Sequence, residues 1–127
     1  MLNKVLIIEG DSFLSLQLTD ILVEGGFIVS RASSYREALD KLYDFDPHII
    51  VTNEFLPDKD GVAASRHIVK SLEIPTILVG NDYTDDAWRK LSESYAANYI
   101  RLPIVPAVFI ARVKAILRRY EVYRYAY

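Results

Sequence analysis

His48-Ile49-Ile50-Val51-Thr52-Asn53-Glu54-Phe55-Leu56-Pro57-Asp58-Lys59-Asp60-Gly61 is the stretch on which the reading of this chain turns. Ile49, Ile50 and Val51 form a continuous apolar run, rich in β-branched residues and too short for a helix. Such a run reads as a strand covered on both faces, as in a parallel sheet. Proline, aspartate and glycine then crowd into Leu56 to Gly61, so the strand ends in a loop. Asn53 and Glu54 stand at that junction, where a strand delivers polar groups to the end of a sheet.

Four other runs of the same kind flank it: Val5-Leu6-Ile7-Ile8, Phe27-Ile28-Val29, Thr76-Ile77-Leu78-Val79 and Asn98-Tyr99-Ile100. Helical patterns fill the intervals. In the first, Leu14, Leu18, Ile21 and Leu22 share a face, with Asp11 or Ser12 as N-cap and Gly25-Gly26 as the stop. The second covers about Ser34 to Tyr43, with Tyr35, Ala38, Leu39 and Leu42 inward, and Asp46-Pro47 turns the chain. The third follows Asp60-Gly61 and turns Ala64, Ile68 and Leu72 inward. The fourth starts at Thr84 as N-cap, with Asp85 and Asp86 complementing the helix dipole and Ala87, Leu91 and Tyr95 as its inner face. The fifth begins near Pro106 and carries Phe109, Val113, Ile116 and Leu117. Five βα units joined by right-handed crossovers predict a doubly wound parallel sheet with helices on both faces. The site of such a sheet lies at the carboxyl ends of its strands, which here means Glu9 to Asp11, Asn53, Gly80 and Leu102.

Composition bounds the function. The 127 residues suit one domain, and 51% apolar residues suffice for a core. Fifteen Lys and Arg against 17 Asp and Glu give a formal charge of −2, which makes no electrostatic case for nucleic acid. The absence of cysteine excludes disulfides and thiolate metal sites and points to the cytoplasm. No signal-peptide pattern precedes the first strand, and no apolar stretch approaches the ~20 residues that span a bilayer. No membrane association is expected. His48 and His67 have no paired metal-ligand spacing.

The strand entry Lys4-Val5-Leu6-Ile7-Ile8, the loop Leu56-Pro57-Asp58-Lys59-Asp60-Gly61, and Tyr99 followed four residues later by Pro103 together resemble the response-regulator receiver (CheY-like) family. The closing stretch Ala111-Arg112-Val113-Lys114-Ala115-Ile116-Leu117-Arg118-Arg119 is similar to the last receiver helix of the OmpR/PhoB subfamily. The resemblance spans about residues 3 to 119. It implies a flavodoxin-like (βα)5 fold with strand order 2-1-3-4-5, a receiver-like domain at 1–119, and a tyrosine-rich tail or the start of a linker at 120–127.

The same resemblance implies a lost chemistry. The family's phosphoacceptor Asp, which takes a phosphoryl group from a histidine kinase, is Asn53 here, and a neutral amide is a very poor nucleophile. The two acidic positions that hold Mg2+ in the family are Glu9 and Gly10, so Glu9 is the one carboxylate left. The hydroxyl residue after the fourth strand is Gly80, and the Lys before the proline is Leu102, with Arg101 beside it on the opposite side of the strand. The Leu102-Pro103 bond is expected to be cis, as in the family. The chain thus reads as a pseudo-receiver in two-component signalling: not an enzyme, with no cofactor, no catalytic residue and no Mg2+ site expected. Residual phosphorylation, on Asp11 or Glu54, and ligand binding in the remodelled pocket stand as the alternatives.

What remains able to act is surface. Tyr99 holds the family's aromatic switch position; the space at Gly80 would let it sit inward, and a tyrosine simply half-buried at a sheet edge is the equal alternative. The face of the fourth helix, fifth strand and fifth helix is the family's dimerisation and partner face. This chain keeps Arg112 and Arg119 there, lacks the usual acidic partners at Ala97 and Asn98, and offers Trp88 and Val108 for an apolar contact. A homodimer or protein partner through this face is expected, with a histidine kinase a further candidate. A transcription-regulator role would need an output domain. Tyr120, Tyr123 and Tyr127 fall at helical spacing and would extend the face as an aromatic stripe.

Overall fold

A computed structural model of the chain describes residues 2–126, with side chains described as far as Glu121. Its elements are β1 (Lys4–Ile8), α1 (Ser12–Glu24), β2 (Ile28–Ala32), α2 (Tyr35–Phe45), β3 (Ile49–Asn53), α3 (Gly61–His67) running on into a π-helical turn (Ile68–Leu72), β4 (Thr76–Gly80), α4 (Asp86–Ser94), β5 (Asn98–Arg101) and α5 (Pro106–Ala126). The five strands form one sheet in the order β2-β1-β3-β4-β5, and every pairing is parallel. The expected fold is the one observed.

Alternation along the strands sorts the core into two layers. Val5, Ile7, Ile49, Val51, Ile77 and Val79 meet Leu18 and Leu22 of α1 and Phe109, Val113, Ile116 and Leu117 of α5 on one face. Leu6, Ile8 and Ile50 meet Tyr35 and Ala38 of α2 and Ala64 and Ile68 on the other. Among the described residues, no helix is long and apolar enough to cross a membrane.

The expectation of covering on both faces holds for β1, β3 and β4. It fails at the two edges of the sheet: β2, whose Ile28 is 54% exposed, and β5, whose Asn98 and Tyr99 are only partly buried; Phe27 precedes β2 and packs into the first core layer. Three helix faces also depart from the periodic reading. Leu39 lies on the flank of α2, to one side of the stripe made by Tyr35, Ala38 and Leu42, and is exposed. Leu72 is exposed too, because the π-helical turn widens the repeat and breaks its phase with Ile68. Tyr95 is the left-handed C-cap of α4, at φ 56°; it leaves the helix and lies under the Lys70 ammonium, 4.9 Å from the ring centroid. At the other end of α4 the N-cap place falls to Asp85, and the Thr84 hydroxyl accepts from the Asp86 amide at 3.2 Å. For α1, Asp11 is the cap, accepting from the Leu14 amide.

The loop after β3 is tied down by its own residues. Asp58 accepts from the backbone amides of Tyr35 and Arg36 at 2.9 and 3.0 Å, which fixes the start of α2. Gly61 donates to the Glu54 carbonyl at 2.8 Å, and a Cβ there would fall 2.7 Å from the Glu54 carbonyl carbon. Only glycine permits this approach. Within α5, Tyr120 is half-buried and its hydroxyl donates to the Glu73 carbonyl. Tyr123 and Tyr127, the rest of the proposed stripe, lie outside the residues whose side chains are described.

Phe109 is fully buried and Tyr43 is 92% exposed. Phe109→Ala is expected to cost about 3–5 kcal/mol through the cavity it leaves, and Tyr43→Ala to stay within about 0.5 kcal/mol of the parent. Urea unfolding curves for the two variants check this.

Candidate functional site

Glu9 leaves the end of β1 and Asn53 ends β3, its neighbour in the sheet. Glu9 is buried rather than solvated. One of its oxygens accepts from the Asn53 amide nitrogen at 2.7 Å and the other from the backbone amide of Asp11 at 3.1 Å. The Asn53 amide oxygen accepts from the Phe55 amide at 2.9 Å. A carboxylate in place of the Asn53 amide would set two anions against each other. The amide turns that repulsion into a bond to charge.

These residues do not fit Mg2+, which demands octahedral oxygen ligation and draws on carboxylates. Both Glu9 oxygens are engaged, Asn53 turns its nitrogen toward Glu9, and Gly10 has no side chain to offer. The Pro57 ring closes over Gly10, so that a Cβ there would lie 3.1 Å from its Cδ. Among the described residues, no group of three or more His, Cys, Asp or Glu is placed to hold a metal ion.

Glu54 turns to the opposite side. Its side chain is only 3% exposed. One oxygen accepts from the Tyr99 hydroxyl at 2.7 Å, and the Lys90 ammonium lies 3.3 Å from both oxygens. Lys90 also pairs with Asp82 at 3.0 Å, and the Asp82 backbone amide donates to the Tyr99 hydroxyl at 2.9 Å. The four groups close a ring around Gly80. Burial is the main cause that pushes the Tyr99 hydroxyl well above the usual tyrosine range, and its bond to Glu54 adds to it. Burial pulls Lys90 down, but the bonds to Asp82 and Glu54 outweigh it and hold the ammonium above its ordinary value. Asp82 is lowered to about 2 by the Thr84 hydroxyl, the Thr84 amide and Lys90.

The remaining positions lie apart from the Asn53 pocket. Leu102 packs against the core layer under α5, and the Leu102-Pro103 peptide is cis. The Arg101 Nε donates to the Asp82 carbonyl at 3.0 Å, with the guanidinium over the Tyr83 ring. It does not reach Asn53's surroundings as a substitute cation. Between α4, β5 and α5 runs a groove of about 440 Å³ that brings together Trp88, Tyr99, Val108 and Arg112. Trp88 is 71% exposed. The Arg112 guanidinium donates to the Asn98 side-chain oxygen at 2.9 Å. Arg119 lies exposed a turn or more further along α5, beside Pro75, Ala97 and Tyr120. Sequence reasoning missed Lys90 altogether and read Glu54 only as an alternative acceptor. No local spacing links two residues 36 positions apart.

The family model of the response regulator receiver domain matches residues 5–114. The chain is 24% identical over 119 residues to response regulator RR06 of Streptococcus pneumoniae serotype 2 (strain D39), covering 94% of this chain and 55% of that protein. The chain therefore spans about half the length of that curated relative. A two-component response regulator from Clostridium difficile has a TM-score of 0.86 and 28% identity, covering 93% of this chain and 98% of that one. A protein described as a putative response regulator from Chloroflexus aurantiacus has a TM-score of 0.86 and 26% identity, with 93% and 99% covered.

A carboxyl group whose folded value is depressed stabilises the fold above its ordinary value, here 3.8, and loses that contribution as pH falls toward about 2. Asp82→Asn removes the titrating group. The variant is expected to lose less stability than the parent between those two pH values, and urea midpoints measured across that window check it.

Proposed function

Because this chain belongs to the response regulator receiver domain family, we propose that it serves two-component signalling as a pseudo-receiver, by protein-protein contact and without being phosphorylated itself. The observation that carries this reading is the Asn53 amide bonded to Glu9 at 2.7 Å. Where a phosphoacceptor must present a carboxylate oxygen to phosphorus, this position presents an amide that is already engaged. Phosphoryl transfer is driven by positioning and by stabilising charge on the transferred group. Gly10, Gly80 and Leu102 supply neither ligand, hydroxyl nor cation. Glu54 is a poor acceptor as well, since its oxygens are held by Tyr99 and Lys90.

In this reading the degenerate positions Glu9, Gly10, Asn53, Gly80 and Leu102 bind nothing. The active surface is the face of α4, β5 and α5, with Trp88, Val108, Arg112 and Arg119 meeting a protein partner or a second copy. Support comes from the apolar exposure of Trp88 and Val108 at the groove, since aromatic and arginine residues are enriched where proteins bind. The chain works as a receiver-like domain at 1–119 in the cytoplasm, alone or as the regulatory part of a transcription regulator.

Incubation with acetyl phosphate and Mg2+, followed by intact-mass analysis, tests this. The parent chain is expected to gain no phosphoryl group. Asn53→Asp is expected to stay unmodified too, because it restores the nucleophile without the other three groups. A phosphorylated parent chain rejects the reading.

A further inference from the structure

The Glu54 carboxylate is an anomaly of placement. A carboxylate withdrawn from water is costly unless it is both paired and hydrogen-bonded, and nothing in the Asn53–Glu9 arrangement uses it. Three separate elements nevertheless converge on it or on its partners. Tyr99 of β5 donates its hydroxyl to Glu54 at 2.7 Å, Lys90 of α4 places its ammonium 3.3 Å from both oxygens, and Asp82, between β4 and α4, holds Lys90 at 3.0 Å. The Tyr99 hydroxyl is used in both directions, because it also accepts from the Asp82 amide at 2.9 Å. Gly80 sits against this ring. A Cβ at that position would fall 2.5 Å from the Glu54 Cδ and 2.7 Å from its Oε2, and closer still to the Tyr99 hydroxyl. Any residue with a Cβ would force the Glu54 carboxylate and the Tyr99 hydroxyl to shift.

We propose that Glu54, Lys90 and Tyr99 form a standing clamp that holds the Tyr99 ring inward and so fixes the shape of the groove between α4, β5 and α5, with Gly80 as the residue that makes room for it. Glu54 is thereby a positioning residue for a surface it does not itself reach. The Tyr99 ring forms part of the wall of that groove, together with Trp88, Val108 and Arg112. A tyrosine swung outward would enter the groove and change what it can admit. The clamp contains no exchangeable ligand: acid, base and hydroxyl all belong to the chain. Its signalling consequence rests on the contact role proposed for this face, but the position of Tyr99 does not.

The test is the solvent exposure of Tyr99 in the intact chain at neutral pH. The chain is labelled with 3-fluorotyrosine, the Tyr99 resonance is assigned by its loss in Tyr99→Phe, and its 19F shift is compared between H2O and D2O. The parent is expected to show a Tyr99 isotope shift well below that of the exposed Tyr43. Gly80→Ala is expected to raise it toward the Tyr43 value. A fully solvated Tyr99 in the parent, or an unchanged Tyr99 in a folded Gly80→Ala, overturns the clamp. A second measurement does not depend on Gly80→Ala folding: urea unfolding of Glu54→Gln, Tyr99→Phe and the double variant. In a clamp the double variant's unfolding constant falls short of the product of the single effects by on the order of tenfold; effects that simply multiply overturn it. The two readings fail separately. A phosphorylated parent rejects phosphorylation independence and leaves Tyr99 where it is, whereas an exposed Tyr99 rejects the clamp and leaves the mass result standing.

Discussion

A carboxylate buried at the end of a parallel sheet dictates much of what surrounds it. Moving an ion such as the Glu54 side chain out of water costs several kcal/mol, and only good pairing offsets that cost. The partners come from α4, from the β4–α4 connection and from β5. Lys90 leans from α4 across the β3–α3 loop, with its ammonium 5.5 Å from the Phe55 ring centroid as well as beside Glu54. Asp82 holds the other side of that ammonium while its own side chain orders Thr84 at the start of α4. Tyr99 closes the ring from β5. α4, the β4–α4 connection and the inward tyrosine thus each contribute a partner to one electrostatic demand. Every buried side-chain nitrogen and oxygen among the described residues has a hydrogen-bond partner, so the demand is met.

The sequence made the sheet legible where burial is complete. Val5 to Ile8, Ile49 to Val51 and Ile77 to Val79 are closed to solvent, and unbroken apolar runs encode that condition directly. The edge strand β2 is legible only in part, because its outer members Ser30 and Arg31 carry no such signal. Helix phase was read well in α5, where Phe109, Val113, Ile116 and Leu117 repeat without interruption, and badly at Leu72, where one π-helical turn shifts the register. The candidate site divides in the same way. Asn53, Gly10, Gly80 and Leu102 could be picked out because the fold puts strand ends in known places. The ring around Glu54 could not be, because it depends on distances between α4, β3 and β5 that no local pattern records. Gly80 shows the difference: in sequence it is a missing hydroxyl and room for Tyr99, whereas in space the Glu54 carboxylate occupies that room as well.

Asn53 and Gly80 therefore do different physical work. The amide of Asn53 donates to Glu9 where a second carboxylate would repel it. The missing side chain of Gly80 lets a fixed acid, Glu54, approach Tyr99 from inside. The positive charge absent at Leu102 has a counterpart in Lys90, aimed at that fixed acid and away from the Asn53 pocket. Under the proposed role, a group that would come and go is replaced by groups that are always there. An effector shifts a conformational equilibrium only by binding its states unequally, and a clamp of permanent groups leaves it one state to bind. Under that role, control of such a domain would lie with whatever occupies the groove beside Trp88 and not with a change in its own conformation.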